Sequence, residues 1–98
     1  MDRRVNPQTV EKLSGELREI LELELEAGNT IRETWEGRWP YEGVVVVSLS
    51  RPFLSPNRRS SPNLEFRDVD DPHYWKAEYY SAAANQMLLC GFGDPPHF

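Results

Sequence analysis

The stretch from Asp70 to Tyr80 holds the densest group of chemically capable side chains in this sequence. Its eleven residues include three carboxylates, one histidine, one lysine and four aromatic rings. A histidine close to carboxylates can act as a general base or as a metal ligand. His73 is therefore the centre of one hypothetical site, that of a small hydrolase or metal-dependent enzyme, with Asp70, Asp71 and Glu78 around it.

The same residues also fit a simpler interpretation, a turn between two elements. Asp70 and Asp71 precede Pro72, and aspartates in such positions commonly bond to their own backbone. Adjacent carboxylates also point in different directions, which disfavours a paired acid–base site. The spacing of His73 and the acids matches no zinc pattern. We therefore expect neither a metal nor another cofactor and favour a protein that is not an enzyme.

Two further side chains could carry chemistry but have ordinary structural explanations. Cys90 is the single cysteine and follows two leucines, which predicts a small buried hydrophobic residue and not a nucleophile. Lys76 and Glu78 lie two residues apart, so on one side of a strand they would form an exposed ion pair of about 0.5 kcal/mol.

Aromatic residues supply the remaining functional signal. The chain has more aromatic rings than a domain of 98 residues usually buries, and exposed rings often mark interaction sites. We expect Trp35, Phe66 and Trp75 to belong to the core. The residues predicted to contact a partner or ligand are Trp39, Tyr41, His73, Tyr74, Lys76 and Tyr80.

Bulk composition limits the class of protein. A chain of 98 residues, 39% of them hydrophobic, suits one domain with a modest core. The net charge of −5 disfavours nucleic-acid binding, despite the local basic pair Arg58–Arg59. The longest strictly apolar run, Val44 to Val47, is too short to cross a bilayer. With a single cysteine, these features predict a cytoplasmic protein that contacts no membrane.

An amphipathic helix is predicted from Asn6–Pro7 to about Ala27, since Asn caps helices and Pro favours their first turn. Gly28–Asn29 would end it in a left-handed cap. Leu23 and Leu25 widen the apolar side and are expected to be covered, and Gly15 is expected to mark a close approach of another element. The apolar stripe, at spacings of three and four, consists of Val10, Leu13, Leu17, Ile20 and Leu21.

Three strands follow from alternation and β-branched content. Residues 30–35 are polar enough for a sheet edge. Residues 43–50 contain four consecutive valines, which suits a central strand buried on both faces. Residues 64–69 would turn Leu64 and Phe66 toward the core.

The segment 74–90 has two interpretations. A helix could begin at Asp71–Pro72 and run to Cys90, with Gly91 stopping it, which the alanines at 82–84 favour. Alternatively Trp75, Ala77 and Tyr79 form the inner side of a fourth strand, and a fifth strand covers 86–92. The aromatic content of 74–80 and the apolar run Met87 to Cys90 favour the hairpin.

Several strings of this sequence resemble those of a family of small bacterial proteins that carry a domain of unknown function. The likeness spans residues 13–92 and implies a domain type but no mechanism. It also favours the hairpin over the helix, because the part between Tyr79 and Cys90 behaves as a variable turn. The strings are Ala27–Asn29, Ile31–Thr34, Arg51–Phe53, Asp71–Tyr79 (Asp-Pro-His-Tyr-Trp-Lys-Ala-Glu-Tyr) and Cys90–Phe92.

Together these patterns predict a single α+β domain over residues 1–98, with an N-terminal amphipathic helix packed on one face of an antiparallel sheet of about five strands. The ordered core would span 7–92, with a mobile loop at 55–63 and a tail at 93–98. The preferred function is a non-catalytic protein-interaction or small-ligand-binding module, with a protein partner or a homodimer formed through a sheet edge or face. The alternative is the His73-centred enzyme.

Overall fold

The structure, a computed structural model, describes residues 5–37, 42–55, 62–68 and 75–91, with only the backbone at 75 and 76. Two helices precede five strands. In chain order the elements are α1 (Pro7–Lys12), α2 (Gly15–Glu26), β1 (Ile31–Glu36), β2 (Val45–Leu49), β3 (Glu65–Asp68), β4 (Trp75–Ser81) and β5 (Gln86–Gly91).

The N-terminal helical region is interrupted at residues 13 and 14, so the prediction of one continuous helix was wrong. α1 begins as expected, with the Asn6 side chain accepting a hydrogen bond from the Gln8 amide at 2.9 Å. Gly15 then has a φ of +59°, which other residues rarely adopt. A Cβ at this position would meet nothing within 4 Å. Gly15 is therefore favoured here by its positive φ, and no described element approaches it closely, contrary to the expectation.

Gln86, at the start of β5, forms hydrogen bonds with the backbone on both sides of this interruption. Its buried side chain donates from Nε2 to the Lys12 carbonyl, and its Oε1 accepts from the Ser14 amide at 3.0 Å. Backbone groups at helix ends need such partners when they are withdrawn from water. One side chain therefore serves the end of α1 and the start of α2.

The end of α2 confirms the predicted left-handed cap. Gly28 has a φ of +100°, and the Asn29 amide donates to the Glu24 carbonyl at 2.9 Å, as in helix-terminating glycine motifs. Leu23 and Leu25 are 36% and 42% exposed. The expectation that both would be covered was wrong, because the residue between them, Glu24, is the one that faces inward.

The five strands form one mixed sheet in the order β1-β2-β5-β4-β3. This confirms the α+β class, the N-terminal helical region and the number of strands. Three of the four pairings are antiparallel, and β2 and β5 are parallel, which corrects the wholly antiparallel prediction. Thus β2 is an interior strand as expected, but β5 occupies the middle of the sheet.

The alternatives for the C-terminal region are settled in favour of the hairpin. β4 and β5 pair antiparallel through Tyr79 opposite Leu88 and Tyr80 opposite Met87. Their turn ends at Asn85, which has a φ of +54°, a conformation that Asn tolerates better than most residues. All six residues of β5 are buried, as the apolar run in this segment predicted.

The main core lies between the helices and one face of the sheet. The Tyr79 ring lies at its centre, with ring centroids 5.0 Å from Phe53 and 4.8 Å from Phe66. Leu64 and Phe66 pack against this core as expected. The buried members are Leu13, Leu17, Ile20, Leu21, Val45, Val47, Leu49, Ala77, Tyr79, Leu88 and Cys90.

A smaller apolar cluster lies on the opposite face of the sheet. It consists of Val44, Val46, Met87 and Leu89, with Trp35 and Tyr80 partly buried against it. β2 is consequently buried on both faces, as its consecutive valines predicted. Neither of the two described helices is long and apolar enough to cross a membrane.

Candidate interaction surface

Most residues of the predicted site lie outside the described part of the chain. Lys76 lies in β4, and its side chain is not described. The His73-centred hypothesis therefore stays a prediction, as does the role of the rings at 39, 41 and 74. The predicted site residues outside the described ranges are Trp39, Tyr41, Asp70, Asp71, His73 and Tyr74.

Glu78 is buried and contacts the neighbouring strand, which corrects its predicted position in an exposed ion pair. Glu78 is 7% exposed. Arg67, directly opposite on β3, approaches a Glu78 carboxylate oxygen to 3.2 Å through Nη1. The same guanidinium lies 3.0 Å from Glu65 through Nε. One exposed arginine is therefore shared between a buried and an exposed carboxylate.

The environment of Glu78 favours its protonated form. Burial raises the pKa of this carboxyl above its ordinary value; Arg67 opposes the effect, and the Glu65 charge adds to it. A carboxyl with a raised pKa is a recurrent element of acid–base sites. Within the described ranges, however, no group of three or more acidic, histidine or cysteine side chains could hold a metal ion.

Tyr80 is the predicted contact residue whose ring the structure does describe. It lies partly buried against Val44, Val46, Met87 and Leu89. The ring also lines an open surface groove of about 330 Å³ together with Pro62, Asn63, Leu64, Glu65 and Ala82. Tyr80 is therefore partly accessible, and its contact with a partner or ligand stays a prediction.

Glu24 is a buried, hydrogen-bonded carboxylate that the sequence analysis did not single out. It is fully buried and accepts hydrogen bonds from the Leu54 amide at 2.8 Å, the Ser55 amide at 2.7 Å and Asn29 Nδ2 at 2.9 Å. The Ser55 hydroxyl also donates to it. Burial raises the pKa of this carboxyl, but the hydrogen bonds from Ser55, Asn29 and Leu54 outweigh burial and hold it below its ordinary value.

Asn29 extends this network to the residues after β2. Its Oδ1 accepts from the Arg51 and Thr30 amides at 3.1 and 3.0 Å, and its Nδ2 donates to the Arg51 carbonyl at 3.1 Å. Together Glu24 and Asn29 fasten residues 51–55 to the end of α2. The helical spacing could have identified Glu24 as buried, because it lies four residues after Ile20 on the apolar stripe.

The thiol of Cys90 is unsuited to nucleophilic chemistry. It is fully buried, and burial raises its pKa to about 12; a hydrogen bond with the Phe53 backbone opposes this shift, and the Glu24 carboxylate adds to it. At neutral pH the side chain is a protonated thiol packed in the core. The predicted role as a small buried hydrophobic residue is confirmed.

The outer edge of β1 is the surface best suited to a partner. β1 pairs with β2 on one side, and no described segment pairs with its other side. Five of its six residues are half-buried. Among the described strands, β1 is therefore the sheet edge that the polar alternation of this segment predicted.

The hydrogen bonds of β1 identify which residues point outward. Gly37 donates to the Val44 carbonyl at 2.8 Å, and the Glu33 carbonyl accepts from Ser48 Oγ at 3.0 Å. Odd-numbered residues of β1 after the bulge at 31–33 thus turn their backbone groups toward β2. Because antiparallel strands alternate, Thr34 and Glu36 present their amides and carbonyls to the outer edge.

The opposite edge of the sheet has different chemistry. In the described part of the chain β3 spans four residues, and three of them, Glu65, Arg67 and Asp68, are charged and exposed. Short, charged edge strands discourage pairing with other chains. β1 is longer and carries Ile31 and Trp35, both partly buried.

Comparisons with protein-family models, with curated proteins and with solved structures find no match for this chain. The resemblance to small bacterial proteins therefore stays a prediction.

Proposed function

We propose that this chain is a non-catalytic protein-interaction module that binds a partner strand along the outer edge of β1. This proposal rests mainly on the outer edge of β1, a six-residue strand whose alternate backbone groups face away from the sheet. An added strand would pair with this edge through main-chain hydrogen bonds, and side-chain contacts would provide the selectivity.

The chemistry of the described titratable groups supports a non-catalytic role. Glu24 binds the loop at 54–55, and Cys90 is a buried neutral thiol. Glu78 is buried next to Arg67. Each of these groups is occupied by contacts within the fold, whereas the backbone groups of Thr34 and Glu36 face the outer edge of β1.

Trp35 provides an apolar contact at the same edge. Its ring packs partly buried against the cluster of Val44, Val46, Met87 and Leu89. A partner strand could cover the remaining exposed part of this ring. Partly exposed tryptophans at strand edges are frequent anchors of interfaces, because a single ring contributes a large contact area.

A proline at Thr34 tests strand addition directly. Thr34→Pro removes an outward-facing amide while leaving the pairing of β1 with β2 intact, since proline is tolerated on the outward side of an edge strand. Thr34→Val is the matched control: it keeps the amide and, like the proline variant, loses the hydrogen bond from the Asn6 amide to Thr34 Oγ1, 2.8 Å long.

The measurement is binding to partners captured from the source cell, with hydrogen exchange of the Thr34 and Glu36 amides in the purified complex. We expect Thr34→Val to keep the partner and Thr34→Pro to lose it. In the wild-type complex both amides should exchange at least about tenfold more slowly than in the free chain. Retention of the partner by a folded Thr34→Pro variant would contradict strand addition.

A further inference from the structure

We infer that the partner strand comes from a basic segment of another protein and places an arginine or lysine side chain opposite Glu33. This inference rests on the proposed function, because it names the chemistry of the strand that pairs with the same edge. Three observations support it: a carboxylate on the edge strand that has no cation, a second carboxylate that already has one, and the net charge of the chain.

Glu33 and Trp35 lie on the face of the sheet that carries the smaller apolar cluster. Trp35 lies opposite Val46, a member of that cluster, and Glu33 lies opposite Ser48. Directly opposed residues of paired strands point to the same face, and so do residues two apart in one strand. The Glu33 carboxylate and the Trp35 ring are therefore neighbours on one face.

The Glu33 side chain has no partner among the described residues. The hydrogen bond from Ser48 Oγ goes to the backbone carbonyl of Glu33, and within the described ranges its carboxylate takes part in no hydrogen bond or ion pair. The residue is nevertheless partly buried. A carboxylate that has lost part of its hydration is stabilised by a cation or a hydrogen-bond donor. We expect the partner strand to supply that group.

Glu36 differs from Glu33 because it already has a cation. It lies opposite Val45, which belongs to the main core on the helix-bearing face. The Lys12 ammonium of α1 contacts the Glu36 carboxylate. The acidic residue on the helix-bearing face is thus matched within the chain, whereas Glu33 on the other face is not. The partner's cation is therefore expected on the face of Glu33.

The backbone pattern of β1 would bring such a cation close. Thr34 and Glu36 present their backbone groups to the outer edge, so Glu33 and Trp35 would occupy the non-hydrogen-bonded positions of an antiparallel pair. Opposed side chains approach each other most closely at these positions. The Trp35 ring also offers an apolar surface to the stem of a lysine or arginine, and indole rings attract cations.

The charge of the whole chain favours a basic partner over a second copy. The net charge is −5, which attracts a basic segment and accelerates its association. A second copy would carry the same net charge and would bring its own Glu33 and Glu36 to the edge. Like charges that meet across paired strands are destabilising.

Short capped peptides provide the test, in which threonine alternates with arginine, with glutamine or with glutamate. Each is titrated at low ionic strength into the full chain, and nuclear magnetic resonance follows the amides of Thr34 and Glu36. We expect the arginine peptide to bind at least about tenfold more tightly than the glutamine peptide, because only the former supplies a cation opposite Glu33. The glutamate peptide should bind most weakly.

Glu33→Gln identifies the carboxylate that contacts the cation. We expect it to weaken binding of the arginine peptide about fivefold and to leave binding of the glutamine peptide unchanged. Glu36→Gln and Glu26→Gln are the matched controls, since each removes one negative charge, from the other face of β1 and from the exposed end of α2. Each should weaken the arginine peptide by less than about twofold. The amide spectra also show that every variant is folded.

Three results would overturn the basic partner. The first is equal binding of the arginine and glutamine peptides. The second is a loss in Glu36→Gln or Glu26→Gln as large as that in Glu33→Gln, which would indicate general attraction to an acidic surface. The third is a wild-type dimer with protected Thr34 and Glu36 amides that the arginine peptide does not displace, which would identify a second copy as the occupant.

The inference and the proposed function can fail separately. If the glutamine peptide shifts the Thr34 and Glu36 amides as strongly as the arginine peptide does, and Thr34→Pro abolishes both effects, strand addition stands without a basic partner. If the arginine peptide depends on Glu33 but binds Thr34→Pro as well as the wild type, strand addition is overturned. If none of the peptides shifts these amides, both are overturned.

Discussion

Two buried glutamates, Glu24 in α2 and Glu78 in β4, show how the same carboxyl group behaves in two environments. Both are almost fully withdrawn from water, at 0% and 7% exposure. The pKa of Glu24 is nevertheless held below its ordinary value, whereas that of Glu78 is raised. Burial alone therefore does not determine the charge of a carboxyl group in this protein.

The difference lies in the partners of the two carboxylates. Glu24 accepts from neutral donors that the fold fixes in place, among them the backbone amides of Leu54 and Ser55. Glu78 faces an arginine whose side chain is 53% exposed and is shared with Glu65. Several fixed dipoles offset the loss of hydration better than one partly solvated charge does.

The largest effect is expected from Glu24→Gln. The substitution replaces one acceptor oxygen by an NH₂ group that faces amide or hydroxyl donors, so at least one buried donor loses its partner. We expect the free energy of unfolding at neutral pH to fall by about 2–3 kcal/mol. Urea denaturation measures this, and Glu22→Gln, on the exposed side of the same helix, should lower it by less than about 0.5 kcal/mol.

The pH dependence of the Glu24 contribution follows from the direction of its pKa shift. A carboxyl whose pKa is lower in the folded state stabilises the fold above its ordinary value of 4.5, and this stabilisation is lost as the pH falls through the folded pKa. The difference between wild type and Glu24→Gln should therefore shrink on acidification below that value. A difference that stays constant down to pH 3 would show that the carboxylate charge is not what stabilises the loop.

Ser55→Ala should have a smaller effect. It removes the hydroxyl donor to Glu24 but leaves the Ser55 amide bonded to the same carboxylate. We expect a loss of about 1 kcal/mol in the free energy of unfolding, measured by the same denaturation. Ser50→Ala, at an exposed serine, is a matched hydroxyl deletion for comparison. If both variants lose the same free energy of unfolding, the hydrogen bond from Ser55 to Glu24 contributes no more than an exposed serine hydroxyl does.

Glu78→Gln should have the smallest effect at neutral pH, and its sign is expected to be opposite. A carboxyl whose pKa is raised on folding stabilises the fold fully below its ordinary value of 4.5, and this contribution is lost as the pH rises through the folded pKa. The neutral amide avoids that loss, so we expect unchanged or slightly higher stability at pH 7. Denaturation between pH 4 and 8 should show the variant gaining on the wild type as pH rises.

Arg67→Ala distinguishes the effect of the Arg67–Glu78 contact from the effect of the buried Glu78 charge. It would leave the Glu78 carboxylate buried without its nearest cation, so we expect lower stability at neutral pH than in Glu78→Gln. If both variants lose stability equally, the Arg67–Glu78 contact is net stabilising, and the contrast between the two glutamates is weaker than their pKa directions indicate.

Local patterns in the sequence predicted the parts of the fold that depend on local geometry. Alternation predicted the edge strand β1, and four consecutive valines predicted an interior strand. The aromatic content of residues 74–80 and the apolar run Met87 to Cys90 favoured the β4–β5 hairpin. The interruption before Gly15 was missed because its partner, Gln86, lies more than seventy residues away. The parallel pairing of β2 with β5 was missed for the same reason, since no local signal specifies a partner strand.

The candidate site was predictable to a smaller extent. Tyr80 is partly buried against the smaller apolar cluster, and its contact with a partner stays a prediction, whereas the edge position of β1 followed from its polarity. The burial of Glu78 was missed, because alternation assigns a residue to a face of the sheet but does not tell how well that face is covered. Glu24 occupied an apolar position of the helical stripe, where a charged residue indicates a buried polar network.

The central position of β5 has a consequence for how the chain folds. β5 follows the other four strands in sequence but lies between β2 and β4, so the sheet consists of two separate hairpin-like halves until β5 inserts. During synthesis, the edge of β2 that pairs with β5 remains unpaired until nearly the whole described chain has emerged. Pairings so distant in sequence form slowly and expose aggregation-prone strands meanwhile. Truncation before Gln86 should therefore yield an insoluble chain and not a smaller folded domain.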